Sequence, residues 1–493
     1  MKSFRSRLIA PALLLSSCAG LHAAPPNILF IYADDHSPKT VSCYEGSYSM
    51  ADTPHIDKLA ASGVRFRAAY LGSWCMPSRA SLLTGLHPHA IESMRMEGKY
   101  PGSEYDPEVC KFWPAAFRAN GYQTAQIGKW HTGTDAGFGR DWDYQAVWNR
   151  PANPDNAGSY FGRQIMDFNG ERREINEYST DYYTKLACDY IRGDGRAADK
   201  PWYLWLCYGA IHGPTTPAER HAGKLKGRHE SAPATIFGPR EGKPAYLENT
   251  QAWEPGPDGE PVFGKGKNKR RLSNWVQQVN ECMMAVDEGV GAVLAALEES
   301  GQAGNTLVIY SSDQGFANGE HGMKQKVAPY DATYSSPFIV AGPGVARGAV
   351  SSHCVNSPDT IVTFFSLAGI ETPWPMHGRD FSKLLSDPAA EWDHPTLYMH
   401  TGQKYGSAVA PALGEKKGDI HAGVPFFGAV CHGGMKYIRY LKGEEPEELY
   451  DLARDPEEIT NLATDPRYKD GLEAMRGHWN QEMERVGALS LAR

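Results

Sequence analysis

Residues 27–35 read Asn-Ile-Leu-Phe-Ile-Tyr-Ala-Asp-Asp, and this stretch decides the fold. The unbroken apolar run predicts a strand over Asn27 to Ala33 buried on both faces, because a strand with one wet face would alternate. From Pro54 to Gly63, Ile56, Leu59 and Ala60 fall on one helical face, so a βα alternation has begun. Outward from there the pattern predicts a helix over Phe112–Asn120, a strand over Tyr122–Ile127, a helix over Tyr182–Ile191 and a strand over Trp202–Tyr208. A long helix over Ser273–Ser300 leads into strands at Thr306–Tyr310 and Pro337–Ala341. Apolar strands alternating with helices make this an α/β fold, a mostly parallel sheet sandwiched by helices. Gly213 to Arg271 is rich in Gly, Pro, Lys and Arg and reads as a long loop, either functional or a solvated insertion. After Asp380 shorter strands follow, at His394–His400, Phe426–Cys431 and Met435–Leu441, with a helix beyond Tyr468. The expected division is a leader over 1–24, a catalytic domain over 25–388 and a smaller C-terminal antiparallel subdomain over 389–493.

Ligands of open α/β sheets bind beyond the carboxyl ends of the strands. Asp34 and Asp35 follow the first strand, Lys129 and His131 the one ending at Ile127, His212 the one ending at Tyr208, and Asp313 and Gln314 the one ending at Tyr310. One acid or base after a strand is more often a cap or a loop residue. Four strand ends so furnished point to a shared site. Three carboxylates with the Gln314 amide oxygen form an all-oxygen set, suited to Ca²⁺, or second to it Mg²⁺, rather than zinc. Such an ion would neutralise a bound anion and orient it toward a nucleophile.

Residues 75–85, Cys-Met-Pro-Ser-Arg-Ala-Ser-Leu-Leu-Thr-Gly, supply a candidate nucleophile. Pro77 fits the first turn of a helix, placing Cys75 near a positive helix end and beside Arg79. A thiol there is acidic and reactive. A buried structural cysteine before a helix is the alternative that spacing leaves open.

The 493 residues are 41% hydrophobic and 22% charged, ordinary for a globular chain long enough for one large domain with a smaller one attached. A formal charge of -8 argues against a nucleic-acid partner. Lys2, Arg5 and Arg7 precede the apolar run Leu8–Leu15 and small residues ending at Ala23 and Ala24, which reads as a cleaved export signal. No stretch is long and apolar enough for a transmembrane segment. The expected location is periplasmic or secreted; Leu15-Ser16-Ser17-Cys18 also resembles a lipobox, which would anchor the chain through a lipid on Cys18. Nine irregularly spaced cysteines without a CxxC pair indicate neither zinc nor a disulfide framework.

Residues 75–85 resemble the signature of the type I, formylglycine-dependent sulfatases of the alkaline-phosphatase superfamily, at every defining position. The resemblance extends through Asn27–Asp35, Gly128-Lys129-Trp130-His131, Ser312-Asp313-Gln314-Gly315, Gly319-Glu320-His321-Gly322, Glu448-Leu449-Tyr450-Asp451, Asp455-Pro456 and Asn461-Leu462. It implies an alkaline-phosphatase-like fold and conversion of Cys75 to formylglycine by a maturation enzyme. One hydroxyl of the hydrated aldehyde attacks sulfur, and the second expels sulfate. The resemblance further implies that Asp34, Asp35, Asp313 and Gln314 hold the metal together with residue 75. On that resemblance Arg79 would steady the formylglycine oxygens and Lys129 would bridge them to the sulfate. By the same resemblance His131 would act as base, while His212 and Lys326 would bind sulfate and protonate the leaving oxygen. Gln314 stands where many relatives carry Asn, Lys324 competes with Lys326, and His321, His87 and His89 are either site-mouth or structural histidines.

Two other readings compete with a sulfatase: a phosphate mono- or diesterase of the same superfamily, and a catalytically dead glycan-binding protein. Against the first stands Cys75 with a single metal set; against the second, every expected position is filled. The expected substrate is a sulfated polysaccharide or oligosaccharide, with a small aryl or alkyl sulfate as its rival. The basic runs Lys224–Arg228 and Lys265–Arg271 are solvated loops or contacts to further sulfates.

Overall fold

Strand β1 (Asn27–Ala33) lies inside a 10-stranded sheet with all seven residues buried. The computed structural model describes residues 25–96, 103–156, 158–415, 420–441 and 444–492; the expected leader and Cys18 lie outside them. The other strands of this sheet are β2 (Gly63–Tyr70), β3 (Gln123–Lys129), β4 (Tyr144–Trp148), β5 (Gln164–Phe168), β6 (Glu171–Ile175), β7 (Trp202–Cys207), β8 (Thr306–Ser312), β9 (Ser335–Ala341) and β10 (Ala349–Asn356). Their order is β10-β2-β9-β8-β1-β7-β3-β4-β5-β6. The central strands β8, β1, β7, β3 and β4 run parallel, so their carboxyl ends share one edge.

Both faces of the central strands are covered, which is why they read as continuous apolar runs. On one face Ile28, Phe30 and Tyr32 of β1 pack with Tyr203 and Trp205 of β7 and Leu307 and Ile309 of β8. On the other, Leu29 and Ile31 meet Leu204, Leu206, Val308 and Tyr310. The period of two belongs to a strand. Helices α1 (Pro54–Ala61), α2 (Cys75–Thr84), α3 (Pro114–Ala119), α4 (Ser179–Arg192), α5 (Leu272–Glu299) and α6 (Ser357–Ala368) supply the outer layers. Apolar residues of α2, α3 and α6 join the first face, and those of α1, α4 and α5 the second. Each large side chain so buried contributes roughly 1.5–3 kcal/mol.

A second, antiparallel sheet follows, built from β11 (Thr396–His400), β12 (Phe427–His432), β13 (Met435–Tyr440) and β14 (Glu448–Asp451). Tyr398, Phe427, Ala429, Ile438 and Tyr450 face the core of the large sheet. On its opposite face Leu397, Met399, Val430, Tyr437 and Leu449 pack against Leu472, Met475, Trp479 and Met483 of α7 (Lys469–Arg485). No helix among the described residues is long and apolar enough to cross a membrane.

The structure adds elements that the apolar pattern did not reveal. In β2, Arg65 and Arg67 break the run: Arg65 lies over the Tyr44 ring and Arg67 pairs with Asp331. In β10 the polar Ser351, Ser352 and His353 do the same, and β6, the outer strand of its hairpin with β5, is largely exposed. Gly213 to Arg271 is not wholly loop. It contains a short helix, Tyr246–Asn249, and a three-stranded antiparallel sheet of Trp253–Pro255, Pro261–Phe263 and Arg270–Arg271.

Candidate active site

Because β8, β1, β7 and β3 are parallel neighbours, the loops leaving their carboxyl ends meet. Backbone bonds lock them. Asp34 N donates to Ala210 O at 2.8 Å and Ile211 N to Asp34 O at 2.8 Å, tying the loop after β1 to the one after β7. His36 N donates to Gln314 O at 3.1 Å, and Asp35 N to Asp313 Oδ1 at 3.0 Å. Lys129 is the last residue of β3 rather than the start of the loop. The preceding Gly128 has φ +97°, and a Cβ there would stand 2.0 Å from Cys207 O of β7. Asp35 and His131 hold left-handed backbone angles, φ 57° and 63°. Asp and His are among the non-glycine residues that tolerate this region best.

Helix α2 brings Cys75 to this edge as its first residue, preceded by the extended Trp74 and ended by Gly85 at φ 70°. The Cys75 thiol donates to Asp34 Oδ1 at 3.3 Å, and Lys326 Nζ donates to Sγ at 3.0 Å and to Asp35 Oδ1 at 2.7 Å. Lys129 Nζ pairs with Asp34 Oδ2, both side chains fully buried. Arg79, one turn along α2, donates from Nη1 to Lys129 O at 2.8 Å and pairs through Nη2 with Asp313 Oδ2 at 3.3 Å. Ligand atoms of Asp34, Asp35, Cys75 and Asp313 lie within 4.8 Å of one another.

Burial and the Asp34 carboxylate oppose ionisation of the Cys75 thiol. Lys129, Lys326 and a hydrogen bond with His212 outweigh them and hold it well below the thiol range. Burial likewise opposes ionisation of Asp34, yet Lys129, His212, Lys326 and Arg79 keep it well below the carboxylate range. Asp313 goes the other way: burial, then Asp34 and Cys75, push it well above that range despite Arg79.

A family profile described as Sulfatase matches residues 26–370. The chain belongs to the sulfatase family. It is a sulfuric ester hydrolase. A second profile, N-sulphoglucosamine sulphohydrolase, C-terminal, matches residues 319–485 of this sulfatase. The sulfatase is 26% identical to the N-acetylglucosamine-6-O-sulfatase of Bacteroides thetaiotaomicron, over 92% of this chain and 86% of that one. It is also 26% identical to the ulvan-active sulfatase of Formosa agariphila, over 76% of this chain and 68% of the other. Its fold matches the solved structure of BT4656 in complex with its substrate D-glucosamine-2-N,6-O-disulfate, with TM-score 0.78, 23% identity and coverage of 94% and 98%. A phosphonate monoester hydrolase of Agrobacterium radiobacter shares the fold at TM-score 0.65 and 21% identity, with coverage of 94% and 96%.

The donor set of this sulfatase fits a hard divalent cation. Three carboxylates converge, and the rise of Asp313 comes from burial first and then from Asp34 and Cys75, a crowding of charge that a cation would relieve. Asp34, Asp35 and Asp313 each pair with a cation, Lys129, Lys326 and Arg79 in turn, so a dication bound among them would add positive charge suited to an anionic ester. Gln314 enters differently from the expectation: its Nε2 faces Asp35 Oδ1, and Oε1 accepts from Ser78 Oγ at 3.4 Å. Ligation through oxygen would need a half-turn of the amide.

His212 stacks on Tyr160 with centroids 4.1 Å apart and planes at 6°, its Nε2 3.3 Å from the Tyr160 hydroxyl and 3.6 Å from Asp35 Oδ2. The lone aromatic Tyr160 carried no sequence signal, since it comes from the loop before β5. His131 is buried beside Lys129, and burial with that charge holds its imidazole well below the usual range. A cleft of about 230 Å³ opens over Asp35, His212 and Lys326, lined also by Trp275, Phe316 and Lys324. Lys326, not Lys324, touches Cys75. His321 stacks on Tyr330 at 4.0 Å, His89 stacks on His377 and His87 packs tilted against it, so none of the three belongs to the cluster.

Proposed function

We propose that this sulfatase is exported and removes sulfate esters from sulfated glycans, using formylglycine made from Cys75 and a bound divalent cation, Ca²⁺ first. The observation that carries the reading is the convergence of Cys75 with Asp34, Asp35 and Asp313 and with Lys129 and Lys326. The sulfated amino sugars and the ulvan named for its relatives support a glycan, and glucosamine sulfates are the first sugars to test.

Residue 75, converted and hydrated, would supply the attacking oxygen at the positive end of α2, where developing negative charge is favoured. When bound, the cation would polarise the sulfate oxygens and lower the pKa of that hydroxyl. Asp34, Asp35 and Asp313 would hold it, with Gln314 after rotation of its amide. Arg79, pinned between Lys129 O and Asp313, fixes the first turn of α2 and holds positive charge behind residue 75. Lys129 and Lys326 flank the thiol position and meet the charge carried by the transferring group. Near-complete burial excludes water there and strengthens each of these interactions. His212 Nε2 opens on the cleft, in position to protonate the leaving oxygen, and His131, kept neutral, is the base that withdraws the proton of the second hydroxyl.

The test is sulfate release from a panel of sulfated oligosaccharides by calcium-loaded enzyme whose Cys75 peptide mass shows conversion, with Cys75→Ala as control. Release by the converted enzyme alone supports the reading. If that enzyme spares every sulfated sugar but cleaves phosphate mono- or diesters, the reading is replaced by a phosphoesterase.

A further inference from the structure

The cations around Cys75 are compensated by carboxylates: Lys129 by Asp34, Arg79 by Asp313 and Lys326 by Asp35. Lys324, in the same cleft, is held differently. Its Nζ lies 3.8 Å from the centroid of Trp275, 4.6 Å from that of Phe263 and 5.8 Å from that of Phe316. Among the described residues no carboxylate forms an ion pair with it. An aromatic cage attracts an ammonium but does not cancel its charge.

The cage is built firmly. Trp275 projects from α5, and its Nε1 donates to Asn318 Oδ1 at 2.7 Å. Phe263 comes from the three-stranded sheet within Gly213–Arg271 and meets Trp275 edge-on at 5.6 Å. Arg270, on the neighbouring strand, adds positive charge. Burial first, and Arg270 second, press the Lys324 amine down to about 8 against the pull of Asp35. At about 8 the amine still carries its charge at neutral pH, and an arriving anion would favour that charge further.

We propose that Lys324, caged by Trp275, Phe263 and Phe316 and backed by Arg270, is a second anion-binding position that recognises a further sulfate on the same sugar whose ester is cleaved beside Cys75. Lys324 lines the cleft with Lys326 and His212, so both anionic groups enter one cavity. The catalytic cluster takes one sulfate and Lys324 the next. The insert from Gly213 to Arg271 then has a task, to supply one of the three cage rings, Phe263, and the charge behind it. The proposal rests on the glycan reading above.

The experiment compares kcat/KM for N-acetylglucosamine 6-O-sulfate and glucosamine 2-N,6-O-disulfate in wild type, Lys324→Met and Lys324→Arg, each with Cys75 conversion and thermal midpoint verified. Wild type prefers the disulfate; Lys324→Met lowers the disulfate-to-monosulfate ratio about tenfold through KM, and Lys324→Arg restores most of it. An unchanged ratio in Lys324→Met overturns the proposal while leaving the glycan reading intact. Failure of converted wild type on both sugars counts against that reading instead. Lys324 is then judged by calorimetric binding of the disulfate to Cys75→Ala enzyme. Tenfold weaker binding on adding Lys324→Met supports the position, and equal binding, or none, overturns it.

Discussion

The ammonium nitrogen of Lys326 stands 3.0 Å from the sulfur of Cys75. Their residues are joined only by folding, since the loop carrying Lys326 closes over the first turn of α2 from 251 positions away. On the proposed mechanism a fixed cation at this distance would act where charge shifts during transfer. Lys326→Ala is expected to lower kcat by about 10²–10³-fold, the scale seen when one preorganised donor is removed. Steady-state kinetics on enzyme with verified Cys75 conversion checks it; a loss under threefold would remove Lys326 from the chemistry.

Arg79 is sealed from water and paired with an equally sealed Asp313. Replacing it by Leu strands Asp313 beside Asp34. Loss of one partner of a buried pair costs about 3–5 kcal/mol. Urea unfolding of chelator-treated Arg79→Leu should show a loss of that size at unchanged m-value.

Calcium should stabilise the folded chain, because the crowded carboxylates exist only there. At a free concentration a hundred times Kd the gain is about 2.7 kcal/mol. Calorimetric thermal midpoints should rise with calcium in wild type and stay flat in Asp313→Asn. Flat behaviour in wild type would show that the carboxylates hold no calcium.

Asp287 of α5 reaches across to the first turn of α1, accepting from His55 N at 3.1 Å and Ile56 N at 2.9 Å. Burial nevertheless pushes it up to about 6, outweighing those amides. Its folded pKa is raised, so its contribution to stability is full below the unfolded value and is lost as pH rises through about 6. Asp287→Asn keeps an acceptor oxygen without the charge. It should match wild type below about pH 4 and exceed it by roughly 1–2 kcal/mol above pH 7, after discounting for partial screening. Unfolding free energies measured across pH 4 to 8 decide; an advantage that does not grow with pH rejects the assignment.

The strands that flank the site were legible because burial on both faces writes an unbroken apolar run, as in β1, β7 and β8. Arg65 and Arg67 hid β2, since their charges are answered by Tyr44 and Asp331 from distant parts of the chain. At the site, Asp34, Asp35, Lys129, His212 and Asp313 could be gathered from strand ends alone. Lys324 and Lys326 could not be told apart by spacing. They lie in an irregular segment where Val327 has φ 70°, so no periodicity says which side chain turns toward Cys75. Tyr160 and the amide orientation of Gln314 depend on tertiary contacts that leave no trace in sequence.

Cys75 is 1% exposed in the folded chain. Under Lys326 and the strand-end loops, its sulfur lies beyond the reach of another protein's active site. If this residue is converted, conversion and folding are competitors for the same thiol. A molecule that folded first would then keep its thiol under that cover. The specific activity of a preparation would then record the outcome of that race, since Asp313 and Lys326, which close the site, come more than 230 positions after Cys75.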